Sequence, residues 1–493
     1  MRALFSICYM ILTQPLDNRT RSTLIHGLND DCLLRIFLLY RPALLDEDEV
    51  IDIRILQGGE WGRERWWYKL VRVCRRWRYL IFQSASHLGV CLVCTYGTPV
   101  LDMLAHSPLL PLVIDAVDNL QGISAEDEER INFVLQHSDR VRRIRVRMPV
   151  PNLQRLILAM DKEFPMLEYL YIAPPAKHDA TVTFPQSFRA PQLRQLILIN
   201  LATSITSPLI ATIHDLVTLA LDYIHPSAYF SPHDLLVQLS LMPQLETLGI
   251  TFHSPSQNRA LESQLSETPI TQHVTLPHLR WFAFGGENAY LEALLPHVTA
   301  PLLERLQIIF FNQLLFSVPC LLQFIGTTER LIFSSLTISF LEAVVVVRAL
   351  PHAAAKMDTF YMHVSCQYLD WQAACMAQIF GMLGSAFSSI ERLHLRFGDR
   401  QSSSEGDNDI DIDPTQWRIL LASFSNVETL LIDEGLVKDL SLSLRWHDGE
   451  PRLELLPQLK ELVYSASGDV GDSFASFIHA RQATGHSVSL VRR

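Results

Sequence analysis

The chain lacks the marks of several large functional classes. Its 493 residues contain no P-loop, G-x-G-x-x-G, G-x-S-x-G or H-E-x-x-H. No phosphate cradle, dinucleotide turn, nucleophile elbow or zinc-protease helix is therefore expected. Beyond an apolar run at 3–12, no stretch approaches the roughly 18 uncharged apolar residues that a membrane span needs. Basic residues are the minority: 41 Lys and Arg stand against 52 Asp and Glu, a net charge of −11. Such a balance gives no electrostatic reason to seek DNA or RNA. Cysteine is sparse as well. Of the 8, only Cys91 and Cys94 form a C-x-x-C, within "GVCLVCTY", with no second pair and no His set beside them. Buried free thiols are expected there rather than zinc or a redox pair, which fits a reducing compartment. No cofactor, metal ligand or catalytic residue is expected.

What is present is apolar. The chain is 48% hydrophobic and 19% charged, enough to bury a large core, and its length calls for more than one ordinary domain. The first residues, "MRALFSICYMILT", are followed by "TQPLDN" rather than a small-x-small cleavage pattern. We read 1–23 as a leader of no defined fold. Residues 28–40, "LNDDCLLRIFLLY", read as a helix capped by Asn29 or Asp30. Residues 41–65 carry Pro42, the acids of 46–49 and Gly58-Gly59, and read as a solvated insertion, mobile and dispensable for folding. A helix is expected to resume at Trp66 and to run, with a bend, towards Ser84. Within it, Leu70, Val73, Cys74, Trp77, Leu80 and Ile81 form one helical stripe. Four arginines, 72, 75, 76 and 78, sit between them.

After residue 88 the texture becomes strand and helix in alternation: "LGVCLVC", "TPVLDMLAHS", "PLLPLVIDAV", then "SAEDEERINFVLQH" with Ser124 as its N-cap. A repeat then governs the chain. Copies begin at 151, 165, 191, 214, 243, 277, 301, 388, 425 and 457, as in "PNLQRLIL", "PQLRQLIL" and "PQLETLGI". Apolar residues at i, i+3 and i+5 end in the alternation of a strand. The leading proline is expected to end a helix just before it. The spacing predicts strands at 153–158, 193–198 and 245–250 lying in one parallel sheet. Repeated strand–helix units imply a solenoid. The L-x-x-L-x-L core resembles leucine-rich repeats. The place where those carry Asn or Cys holds Asp161, Leu201, His253, Glu287, Gly435 and Ser467 instead, and the spacing is irregular. A distorted α/β horseshoe over 91–493 is expected, interrupted near 331–366 by inserted antiparallel strands rich in Val, Ile, Phe and Thr.

The two N-terminal helical stretches together resemble an F-box. That family's pattern is a leucine-proline helix start with Leu, Ile and Phe, then "LVCKRWR" and a leucine-rich helix end. Leu28, Leu33, Ile36 and Phe37 match the first part, and Val73 to Arg78 match the second. Asn29 stands where the family has Pro, and the 41–65 insertion replaces a short connection. With its "PxLxxLxL" segments, the chain resembles the large F-box-like families of mushroom-forming fungi. The resemblance implies a small helical domain at 24–90 that docks the Skp-type adaptor and cullin scaffold of a ubiquitin ligase. It also implies repeats that hold a protein target, and a cytoplasmic or nuclear location. Leu28, Leu33, Leu34, Ile36, Phe37, Leu70, Val73, Cys74, Trp77, Leu80 and Ile81 would be the adaptor contacts. The alternative is a leucine-rich scaffold in which these helices are only structural.

Three further signals stand apart from the repeat. "RVRRIRVRM" (140–148) alternates, so Arg143, Arg145 and Arg147 point away from a core face. They form either a basic stripe for an acidic target or a charge-guarded edge strand. "DNDIDID" (407–413) fails as an EF-hand, because Gly and Glu are missing from their places. Trp371 and Trp417 sit in helical stripes and are expected in the core.

Overall fold

In six of the repeat copies a proline starts the turn into the strand. The computed structural model describes residues 27–42, 65–106, 109–117, 123–174, 184–253, 270–311, 316–352, 355, 357–366, 368–398, 414–445, 455–465 and 473–492. In the repeat copies, the residue before the proline accepts a hydrogen bond from the leucine two places after it. Phe164, Ala190, Met242, Leu276, Ala300 and Leu456 accept from Leu167, Leu193, Leu245, Leu279, Leu303 and Leu459, at 3.0–3.3 Å. That is a β-turn with Pro at its second position, where a fixed φ favours the turn. The proline therefore does not abut the strand. The strand begins four residues later, and the leucine between them is buried.

The chain divides into two compact units, residues 1–116 with 129–142, and 117–128 with 143–493. The first unit holds helices α1 (Asp30–Tyr40), α2 (Trp67–Leu70), α3 (Arg75–Gln83) and α4 (Ala85–Leu88). It also holds strand β1 (Leu92–Cys94), α5 (Val100–His106) and β2 (Leu112–Val117), with β1 and β2 pairing in parallel. Asn29 caps α1, its side chain accepting the Cys32 N–H at 2.8 Å. The expected stripe at 70–81 is not one helix. It breaks after Leu70, and Cys74 opens α3, its Sγ accepting the Trp77 N–H at 3.5 Å. The break turns Val73 out to solvent.

The second unit is an α/β array. α6 (Ala125–Gln136) has Ser124 as its cap, Oγ accepting the Asp127 N–H at 3.1 Å, and spans the division between the units. Then follow β3 (Val141–Arg147), α7 (Val150–Ala159), β4 (Tyr169–Ala173), β5 (Gln195–Ile199), α8 (Pro208–Ala211) and β6 (Thr218–Ile224). Next come α9 (Pro232–Leu239), β7 (Thr247–Phe252), β8 (Val274–Thr275), β9 (Trp281–Gly286), α10 (Asn288–Leu294), β10 (Val298–Thr299) and β11 (Arg305–Phe310). The last part is α11 (Pro319–Thr327), β12 (Ser335–Phe340), β13 (Val344–Leu350), β14 (Phe360–Ser365), α12 (Leu369–Leu383), β15 (Arg392–Phe397), α13 (Pro414–Ala422), β16 (Thr429–Ile432), α14 (Val437–Ser443), β17 (Glu461–Tyr464), α15 (Ala475–Ala483) and β18 (Ser489–Arg492).

Its large sheet runs β3-β4-β5-β6-β7-β9-β11-β14-β13-β12-β15-β16-β17-β18, while β8 and β10 pair separately. Pairing is parallel except at β13, which is antiparallel to both β12 and β14. This is the insertion expected near 331–366. Because β12 and β14 run the same way, the hairpins leave the parallel order intact on both sides.

One expected strand is wrong. Residues 153–158 lie in α7, not in the sheet. Leu153, Leu156 and Ile157 have helical i, i+3, i+4 spacing and are buried, whereas Leu158, the expected third strand residue, is exposed. The segments at 193–198 and 245–250 do supply β5 and β7, parallel through β6. The leader at 1–23, nearly all of the 41–65 insertion and the acidic run at 407–413 lie outside the described residues.

Candidate functional site

The first unit closes a small core on itself. Leu33, Phe37, Leu80 and Ile81 are almost fully buried, and Leu70 nearly so. Phe37 meets Trp77 edge-on, ring centroids 4.9 Å apart. Trp67 Nε1 donates to the Cys91 carbonyl at 3.2 Å. Arg76 locks α3 to the start of α1, donating to Asp30 Oδ1 and to the Leu28 carbonyl, both at 2.6 Å. The residues expected to face the adaptor differ widely in burial. Leu33, Phe37, Leu70, Leu80 and Ile81 already hold the unit together, so they cannot be presented to a partner without opening it. Leu28, Leu34, Ile36, Cys74 and Trp77 are half-buried, and Val73 is 55% exposed. Among the described residues of this unit, Leu39 at 69%, Tyr40, Tyr79, Leu101 and Leu109 lie outside the expected set and are exposed too. Leu39 and Tyr40 end the apolar run of α1. Only the closing of Leu33 and Phe37 inward decides that they face out.

The stripe at 143–147 lies on β3. Arg143 stands over the Tyr169 ring at 4.9 Å, and Arg145 over Tyr171 at 5.8 Å. Arg145 is only 4% exposed. It is neither a solvated edge guard nor an accessible target contact; it is a buried cation over the Tyr171 ring. Arg143 and Arg147 are half-buried. The tyrosine partners were not foreseen, because the register that places Tyr169 and Tyr171 beside Arg143 and Arg145 is a property of the sheet.

On β6 of the same sheet, Asp222 is 3% exposed, and its Oδ2 has no hydrogen-bond partner among the described residues. Burial pushes its pKa up to about 6, against a hydrogen bond with Thr251 that lowers it. Between about pH 4 and about pH 6 the folded state holds this proton and the unfolded state does not. Stability contributed by the protonated form is therefore lost as pH rises through that window. Asp222→Asn is expected to raise stability at pH 8 by roughly 2–3 kcal/mol and to change it little at pH 4. Urea denaturation at the two pH values checks this; an equal effect at both would show that Asp222 is not the titrating group.

Burial pushes the Cys94 thiol up to about 12, so it is a poor nucleophile or ligand. Among the described residues no cluster of three or more His, Cys, Asp or Glu is placed to hold a metal ion, and no helix is long and apolar enough to cross a membrane. Trp417 is fully buried, as expected, but Trp371 is 50% exposed and meets Tyr368 edge-on at 5.1 Å. The stripe of α12 faces inward through Gln372, Ala373, Met376 and Phe380 instead. Compared with known proteins, the chain matches no family model and no curated protein.

Proposed function

We propose that this chain is a substrate receptor of a cullin–RING ubiquitin ligase. The first unit acts as an F-box that docks a Skp-type adaptor, and the leucine-rich-repeat-like second unit holds a protein target. The assigned work is binding, not chemistry, in the cytoplasm or nucleus. One observation carries the reading: after its own core has closed, the helical unit still exposes Leu39, Tyr40, Val73 and Tyr79. Exposed large apolar side chains that adjoin in a contiguous patch form an interaction surface, and the receptor reading requires these four to adjoin. Each is worth roughly 1.5–3 kcal/mol when fully covered. The half-buried Leu28, Leu34, Ile36, Cys74 and Trp77 would complete the contact.

The alternative, a scaffold with purely structural helices, draws on the tight internal packing of Leu33, Phe37, Leu80 and Ile81. A double variant, Leu39→Asp with Val73→Asp, separates the two. Both side chains are exposed, so the melting temperature is expected to stay within a few degrees of wild type. Capture of purified Skp-type adaptor is expected to be lost, because a charge would enter an apolar interface. Wild-type protein that captures no such adaptor sinks the receptor reading and leaves the scaffold.

A further inference from the structure

The chain carries a net charge of −11, yet the outer face of its central strands does not share that sign. In β12, Leu336, Ile338 and Phe340 turn inward, and Phe340 meets Trp417 of α13 edge-on at 5.2 Å. Ser335, Thr337 and Ser339 turn the other way and stay half-exposed. On that outer face β13 sets Arg348 beside Thr337. On the other side, β15 sets Arg392, His394 and Arg396 beside Ser335, Thr337 and Ser339. Neighbouring strands lie about 4.8 Å apart. A row of three hydroxyls therefore runs between the single cation Arg348, set between Val346 and Leu350 on β13, and the Arg392–His394–Arg396 ridge of β15, the two flanks about 10 Å apart.

The cations are accessible: Arg348 and Arg396 are 54% and 56% exposed. Their acidic neighbours sit at the ends of strands. Asp358 lies 3.8 Å from Arg348. Asp433 lies 3.7 Å from Arg396 and 3.1 Å from His394 Nε2. Within β11 to β17, the outward positions hold Arg305, Arg348, Arg392 and Arg396 against Glu461. An extended chain presents alternate side chains on one face every 6–7 Å or so, the same interval that separates Arg392, His394 and Arg396 along β15. Arginines held in a sheet also lose less freedom on binding than free ones.

We propose that this trough docks an extended acidic segment of a protein partner. Carboxylates at alternate positions meet Arg392 and Arg396 of β15, one meets Arg348 of β13, and the hydroxyls of β12 donate between them. The proposal rests on reading the second unit as the target-binding arm, and it names the target's chemistry.

The probe is a fluorescein-labelled peptide of alternating Asp and Ser, titrated with full-length protein and read by anisotropy. Binding is expected at low salt. It should weaken steeply as ionic strength rises, because the screening length falls from about 10 Å at 0.1 M to about 3 Å at 1 M. A peptide of alternating Lys and Ser should not bind. Arg348→Glu with Arg392→Glu should weaken the acidic peptide at least tenfold with an unchanged circular dichroism spectrum. Arg348→Gln with Arg392→Gln should do so more mildly, and this milder pair decides the matter if the first misfolds. Wild-type protein that ignores the acidic peptide, or variants that bind it normally, overturn the proposal. Adaptor capture is measured on the same samples. In the wild-type sample, no capture with peptide binding intact would count against the receptor reading alone, and no peptide binding with capture intact would count against the trough alone.

Discussion

Replacing Leu33 and Phe37 together with alanine is expected to unfold the helical unit. Both side chains are almost fully buried, and Phe37 also forms the edge contact with Trp77. Cutting a buried Phe to Ala costs about 3–5 kcal/mol, and a buried Leu about 2–5. A domain's entire stability is about 5–15 kcal/mol, and small helical units lie near the bottom of that range. The residual hydrogen bonds of Arg76 to Asp30 and Leu28 cannot offset such a loss, because the Asp30 carboxylate is largely exposed and surface pairs contribute about 1 kcal/mol or less. Limited proteolysis between α1 and α4, together with the fluorescence of Trp66, Trp67 and Trp77, reports the change. The strand–helix array should stay protease-resistant. A variant that melts like the wild type would show that α1 and α3 are not packed through these two residues.

Phe387→Ala is expected to be the most damaging single truncation in the second unit. Phe387 is 1% exposed and touches three other rings. Phe333 stacks on it at 4.8 Å, with Phe360 at 5.3 Å and Phe380 at 5.4 Å edge-on. It also ends α12's exit and closes the turn into β15, its carbonyl accepting the Ile390 N–H at 3.1 Å. The cavity should cost about 3–5 kcal/mol. In an array stabilised by neighbour contacts, that loss falls on the hairpins and on β15 together. A fall in melting temperature on the order of 10 °C is expected by calorimetry. Trp371→Ala, on an exposed side chain of comparable size, should change it by roughly 0.5 kcal/mol or less. Equal effects at the two positions would show that the aromatic cluster does not hold the hairpins in place.

Local pattern was a good guide where the physics is local. The cap at Ser124, the N-cap at Asn29 and the alternation that makes β5, β7, β9 and β15 each depend on residues a few places apart. So did the β-branched run that became β12 and β13. The copy at 151–158 misled because its apolar residues suit both periods. Leu153 and Leu156 fit a helix or the repeat, and Ile157 against Leu158 decides between them. The burial of Ile157 is settled by what lies beside it, not by the segment itself.

The amino-acid sequence by itself determined the strand–helix alternation, the caps at Asn29 and Ser124 and the antiparallel interruption, because propensity, capping and hydrophobic period act over one or two turns of chain; it did not determine the helix at 150–159 or the break after Leu70. Only the tertiary structure decided which apolar residues of the helical unit are core and which are surface, since Leu33 and Leu39 have the same chemistry and differ only in what packs on them. It alone set Arg145 under cover with Tyr171 and left Arg348 and Arg396 open, because strand register joins residues far apart in sequence. It also made Asp222 a titrating group, since a pKa near 6 for an aspartate comes from being desolvated inside a sheet rather than from its neighbours along the chain.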